Sequence, residues 1–305
     1  MKSLLSFSLI LFLISLSNAQ NWLYAIKPTP ANVLSIYDLN VGDYLHTVTY
    51  NQSLANVYTV IWWDKVLDNS IDMVVSFDQS SLSIVAANSD NGGITETANV
   101  PLPNGITTNQ LSSFSVNIWD QRNIYFLSQV NNQVTLNSLN VNFQKITTMP
   151  LFNQATSSFT GVVDVNGNYF VLSVVNNQYL GLLFDTSSQS VTGKVAIDST
   201  YIPPQVFKLV SIGGSSYILE LQGAYVLIQN IDVRSTQLTQ VGSILVGKGV
   251  TNINSVLVQN SLFLVANTIE QTNVYTINTD DFSLTNNTAL SYPIAQNSIL
   301  FGYMY

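Results

Sequence analysis

The chain has 305 residues, 47% hydrophobic and only 9% charged, against about 25% charged in an ordinary soluble protein. Disorder is excluded, because it needs low hydrophobicity together with high net charge. With 17 acidic and 9 basic side chains, a net charge of -8 and no Cys, the chain lacks the clustered cations that bind nucleic acid, and it has neither disulfides nor thiolate chemistry nor Cys-ligated metals.

The first element is an export signal. Lys2 supplies a positive start, Leu4 to Leu16 an apolar stretch, and Ser17-Asn18-Ala19 the small residues of a cleavage site. The apolar run is shorter than the roughly 20 residues a spanning helix needs, so a cleaved signal peptide over 1–19 is expected rather than a membrane anchor. The mature domain is then 20–305, a monomer that is secreted or delivered to the lumen of the endolysosomal pathway, with no later membrane span.

From Trp22 onward the patterns are those of strands. Trp22 to Ile26, Val33 to Tyr37 and Tyr44 to Tyr50 form the first three, followed by the sequon Asn51-Gln-Ser53. Further on, Phe114, Val116 and Ile118 alternate with Ser115 and Asn117, and Tyr169-Phe-Val-Leu is a short apolar run. Many turns are made by Asn, as at Asn91-Gly92, Asn131-Asn132 and Asn166-Gly167; Asn tolerates the left-handed conformation that tight hairpins require. The second sequon, Asn286-Asn-Thr288, falls in the fourth strand of the last repeat, and Ser298 to Tyr303 is one more strand. Both sequon asparagines are predicted glycosylation sites on exposed outer strands of an exported chain.

A repeat organises these strands. An Asp or Asn closes the third strand of each copy at Asp38, Asn88, Asn140, Asp185, Asp232 and Asn278, roughly 48 residues apart, the period of a four-stranded propeller blade. The predicted fold is all-β: a six-bladed β-propeller of four-stranded antiparallel blades, with seven blades as the alternative count. The first copy has only three strands, and Ser298 to Tyr303 supplies its missing innermost one, so N- and C-terminal strands close the ring.

On these residues the chain resembles the WD40-like and quinoprotein-like propeller repeats, particularly the Tyr-Val-Thr-Asn type, in which an apolar-Asp or apolar-Asn step ends the third strand. The Gly-His and Trp-Asp dipeptides of WD40 blades are missing from their usual places.

Residues able to carry chemistry are few. His46, the single imidazole, reads as a strand residue beside Tyr44, Val48 and Tyr50, and the chain has no G-x-S-x-G elbow. Asp64, Asp120 and Asp164 each follow an apolar step at the end of an innermost strand. They read mainly as acceptors for the turn's own N–H groups; the sharper reading is a carboxylate ring around the channel, suited to Ca2+ as the one cofactor in view. Two arginines, Arg122 and Arg234, cannot make the triad that resemblance to a sialidase would imply. The expectation is a secreted, non-enzymatic binding or scaffolding propeller for an extracellular protein or carbohydrate. The competing reading is a metal-dependent or carboxylate-pair hydrolase or lyase at the central channel. Asp90 to Gln110, with its Pro101, Pro103 and Gly105, is the predicted contact excursion.

Overall fold

The computed structural model describes residues 21–27, 33–52, 54–64, 69–117, 120–153, 158–176, 178–196, 204, 206–232, 237–295 and 298–304. The segment 1–19, predicted to be a signal peptide, lies outside them.

Six four-stranded antiparallel sheets form the molecule. Blade I holds β1 (Asn21–Ile26), β2 (Val33–Asp38) and β3 (Asp43–Thr49). Blade II is β4 (Asn56–Asp64), β5 (Ser70–Ser76), β6 (Ser81–Asn88) and β7 (Ile94–Pro101). Blade III is β8 (Leu111–Asn117), β9 (Asp120–Val130), β10 (Gln133–Asn140) and β11 (Lys145–Asn153). Blade IV is β12 (Ser158–Val163), β13 (Asn168–Val175), β14 (Gln178–Asp185) and β15 (Ser190–Ala196). Blade V is β16 (Phe207–Ile212), β17 (Ser215–Gln222), β18 (Tyr225–Asp232) and β19 (Gln237–Leu245); blade VI is β20 (Asn252–Val258), β21 (Ser261–Asn267), β22 (Thr272–Asn278) and β23 (Leu284–Ala289). The chain then returns to blade I, where β24 (Ile299–Met304) pairs with β1 from Asn21↔Met304 to Ile26↔Ile299.

Strands β24, β4, β8, β12, β16 and β20 touch in sequence and close a ring. The count is six blades rather than seven, sealed by the terminal strands as the repeat arithmetic predicts. Among the described residues one short 3-10 turn, Thr108–Gln110, is the only helical element.

The core follows from this plan. Six buried apolar clusters each sit between two neighbouring blades: Ile26, Leu34 and Met73 between I and II, for example, and Leu23, Tyr37, Phe263 and Leu290 between VI and I. Inner strands are therefore covered on both faces and read as near-continuous apolar runs, such as Leu262 to Ala266, all fully buried. Each Leu, Phe or Val side chain among them contributes about 1.5–3 kcal/mol relative to exposure. Few positions remain for charge.

All six repeat markers close the third strand of their blade, and the reason is local. The Oδ1 atoms of Asp38, Asn88, Asn140, Asp185 and Asn278 accept backbone N–H groups two or three residues on, at 2.8 to 3.0 Å. The residue four places after each of these markers is left-handed: Gly42, Gly92, Gln144, Gln189 and Phe282 have φ between 50° and 76°. The equivalent position after Asp232 lies outside the described residues. The side-chain oxygen fixes the start of the hairpin and the left-handed residue ends it.

Every outermost strand carries a β-bulge against the third strand. At three of them the extra residue is a Thr whose hydroxyl donates to a third-strand carbonyl: Thr97 to Ile84 at 3.0 Å, Thr192 to Leu183 at 3.4 Å and Thr285 to Thr276 at 2.9 Å. Bulges twist an exposed edge away from pairing with other chains, which a chain so poor in Lys needs.

Candidate functional site

β4 ends at Asp64 and β12 one residue before Asp164, whereas Asp120 opens the second strand of blade III, paired with Asn117, instead of ending its innermost strand; all three positions flank the turn that leaves an innermost strand. The side chains of Asp64 and Asp120 lie outside the described residues. Asp164 is buried, and its carboxylate is occupied by its own turn: Oδ1 accepts the N–H groups of Asn166 and Asn168, both at 2.8 Å, and Oδ2 accepts from Asn168 Nδ2 at 3.0 Å. At the same step blade V uses Gly213 and Gly214, and blade VI uses Gln259, all left-handed. Among the described residues, no group of three or more His, Asp or Glu side chains is placed to hold a metal.

His46 departs from expectation. The bulge in blade I pairs Tyr37 with Tyr44 but Ile36 with His46, so one extra residue, Leu45, breaks the alternation. Tyr44 is thereby turned to the face opposite His46, and His46 is exposed rather than packed beside aromatics.

What Tyr44 meets instead is the last blade. Its ring lies 5.7 Å from Tyr37 and 5.4 Å from Tyr292. A cleft of about 700 Å³ opens between blades VI and I, bordered by these three tyrosines, Ile269, Pro293 and Lys27, with Ser35, Thr47, Asn267, Thr268 and Ser298 as uncharged polar lining. Tyr292 is 59% and Ile269 89% exposed at its mouth. Burial pushes the Tyr37 phenol up to about 12, which keeps it protonated.

The walls are held in place. Tyr44 N–H donates to Ser291 Oγ at 3.0 Å, Ser291 N–H to Gly42 O at 2.8 Å and Thr288 Oγ1 to Leu39 O at 2.8 Å, all across the blade boundary. Asn254 Nδ2 donates to Ser298 O at 2.8 Å, and Ile294 N–H to Thr272 Oγ1 at 3.0 Å, so the segment beneath Tyr292 is pinned at both ends. A smaller cleft of about 510 Å³ lies between blades III and IV, with Tyr125, Phe184 and Lys145 in its lining and an exposed Phe143 at its edge.

Sequence reading missed this cleft, because Tyr292 meets Tyr44 only after the ring has closed. It also missed Glu220, which is fully buried in blade V and accepts hydrogen bonds from Tyr179 Oη at 2.8 Å, from Gln222 Nε2 at 3.3 Å and from Gln229 Nε2. The excursion 90–110 is largely tied down: it contains β7, and Thr108 accepts from Tyr58 Oη and donates its N–H to Gln79 O. Asn104 and Gly105 form an exposed tip between β7 and β8. The sequon asparagines stand where predicted, both exposed: Asn51 just after β3, with Oδ1 accepting Ile94 N–H at 3.3 Å, and Asn286 within β23, with Nδ2 donating to Thr288 Oγ1 at 3.2 Å.

Among the described residues no helix is long and apolar enough to cross a membrane. No family model and no curated protein matches this sequence. Solved structures do match in fold. TolB from Acinetobacter baumannii is similar with a TM-score of 0.58 at 12% identity, over 92% of this chain and 66% of that one. A chain of the nidogen/laminin complex gives 0.52 at 8% identity, over 88% and 93%. A putative 6-phosphogluconolactonase from Bacteroides uniformis ATCC 8492 gives 0.54 at 11%, over 94% and 100%. At these identities the likeness is one of architecture alone, that of the β-propeller.

Proposed function

We propose that the protein is an exported, non-enzymatic binding propeller that takes an extracellular protein or glycan, with the cleft between blades VI and I as its contact site. The observation that carries this reading is the contact of half-buried Tyr44 with exposed Tyr292 above a largely uncharged polar lining. That chemistry suits a neutral sugar chain best: aromatic faces take the apolar faces of the rings, and Ser, Thr and Asn groups meet their hydroxyls. Cross-blade hydrogen bonds preorganise the walls, so little ordering cost falls on binding.

The use of Asp164 within its own turn supports a binding role over channel chemistry. The matched folds include a chain from a nidogen/laminin complex and a putative lactonase, so architecture alone favours neither role. Export rests on the signal peptide over 1–19, with secretion or endolysosomal delivery as the destination, and glycans at Asn51 and Asn286 accord with it. The test is binding of purified protein to an array of neutral oligosaccharides. Tyr44→Ala and Tyr292→Ala should each weaken any captured glycan by about tenfold, the loss of one aromatic contact of roughly 1–1.5 kcal/mol. Capture that both variants retain in full would place the site elsewhere.

A further inference from the structure

The chain contains three exposed or turn-borne Asn-Gly steps, Asn91-Gly92, Asn104-Gly105 and Asn166-Gly167. Asn-Gly is chemically the weakest peptide step toward spontaneous deamidation, because Gly has no Cβ to shield its backbone nitrogen from the preceding side chain. The reaction needs that nitrogen free and the Asn amide able to reach it. The fold treats the three steps differently.

At Asn91 the glycine N–H donates to Asn88 O at 3.1 Å, and the Asn91 Oδ1 is held by Gly93 N–H at 2.8 Å. Gly92 is also packed: a Cβ built there would lie 2.1 Å from Thr49 O of the neighbouring blade. At Asn166 the glycine N–H donates to Asp164 O at 3.1 Å. At Asn104 neither constraint is present. Pro103 O accepts the N–H of Ile106 at 3.1 Å, and Gly105 has a φ of 85°. Those are the features of a type II turn with glycine at its third position. In such a turn the central N–H, here that of Gly105, is not part of the turn's hydrogen bond. Nothing lies within 4 Å of the Gly105 Cβ position, and both Asn104 and Gly105 are exposed.

We infer that Asn104 is a built-in deamidation site and that the fold protects Asn91 and Asn166 from the same reaction. The Gly105 nitrogen attacks Asn104 Cγ; the N–Cγ bond forms, the Cγ–Nδ2 bond breaks, and ammonia leaves carrying the proton of the backbone nitrogen. Water then opens the resulting succinimide ring. Cleavage at Cγ gives aspartate, and cleavage at the main-chain carbonyl gives isoaspartate, in which the backbone runs through the former side chain. No oxidant or reductant takes part. Each event adds one negative charge at the crossover from β7 to β8, on a chain whose net charge is already -8.

The experiment ages the full-length protein, folded, at mildly alkaline pH, in parallel with a sample held in denaturant, and maps deamidation by peptide mass and isoaspartate detection. In denaturant the three steps should react at comparable rates. In the folded protein Asn104 should react about tenfold faster than Asn91 or Asn166, since theirs requires hydrogen bonds to open first. Asn104→Gln should remove the dominant product. Equal rates at all three steps in the folded protein, or an unreacted Asn104, would overturn the inference.

Discussion

The phenol of Tyr179 in blade IV donates a 2.8 Å hydrogen bond to the fully buried carboxyl of Glu220 in blade V, so a polar contact crosses the boundary that the apolar cluster around Phe170, Phe207 and Ile218 fills. Tyr50, in the boundary between blades I and II, is its opposite: its hydroxyl is buried with no hydrogen-bond partner among the described residues, and burial pushes its phenol well above the usual range. The two predict opposite outcomes for the same substitution. Tyr179→Phe strips a donor from a buried acceptor and should destabilise by about 1–3 kcal/mol, whereas Tyr50→Phe removes an unsatisfied group and should be neutral or stabilising. Denaturant unfolding of both variants checks the pair; equal losses would contradict it.

Gly92 and Gln189 occupy the same left-handed turn position in different blades, yet their surroundings differ. The Gly92 carbonyl accepts Asn51 N–H at 2.9 Å, and there is no room for a Cβ beside Thr49. Gly92→Ala should cost roughly 2–5 kcal/mol, from the positive φ and the overlap together. Gln189→Gly relieves a left-handed side chain and should stabilise by about 0.5–1 kcal/mol after the glycine's unfolded-state entropy is subtracted. Thermal unfolding of the two variants should shift in opposite directions.

Ring closure depends on β24. Phe301 stacks on Tyr24 at 4.9 Å and 14° within the cluster between blades I and II. Phe301→Ala should destabilise by about 3–5 kcal/mol. Ending the chain before Ile299 would uncover the β1 edge along six registered pairs and should drive aggregation that the full chain does not show, measured by light scattering. A soluble truncated chain with unchanged unfolding would show that closure is dispensable.

Acid stability should follow the turn aspartates. Hydrogen bonds from the Ser188 and Ser187 side chains, then the Ser187 N–H, hold Asp185 down at about 2, and Ser283 and Ser80 lower Asp281 and Asp78 in the same way. A carboxyl lowered in the folded state contributes stability above its unfolded value of about 3.9 and loses it as pH falls through the folded one. Stability should therefore hold down to about pH 4 and decline below it, and Asp185→Asn should flatten that decline. A midpoint that falls between neutral pH and pH 5, roughly the vesicle range, would count against this assignment.

For the sequons, the expected result is a mass decrease on glycosidase treatment of protein from a secretory host, absent from an Asn51→Gln, Asn286→Gln double variant. Glycans at these two positions would blunt the outer strands in addition to the bulges, so the double variant should also be less soluble. Unchanged mass on treatment would remove these sites.

How much was legible in advance depends on how local each cause is. The blade count, the strand ends and the closing strand could be read because an Asp or Asn with Oδ1 on the next N–H groups is a contact within four residues, repeated at Asp38, Asn88, Asn140, Asp185 and Asn278. Asp164 was likewise legible as a turn acceptor. The bulge at Leu45 was not, since it is defined only by which partners Ile36 and Tyr37 find across the sheet; it sends Tyr44 to one face and leaves His46 on the other. The tyrosine cleft and the Tyr179–Glu220 contact belong to the same class. Short-range hydrogen bonding and apolar patterning let the sequence alone specify a six-fold ring, while packing between blades that meet only in the closed ring decided which side chains share a site.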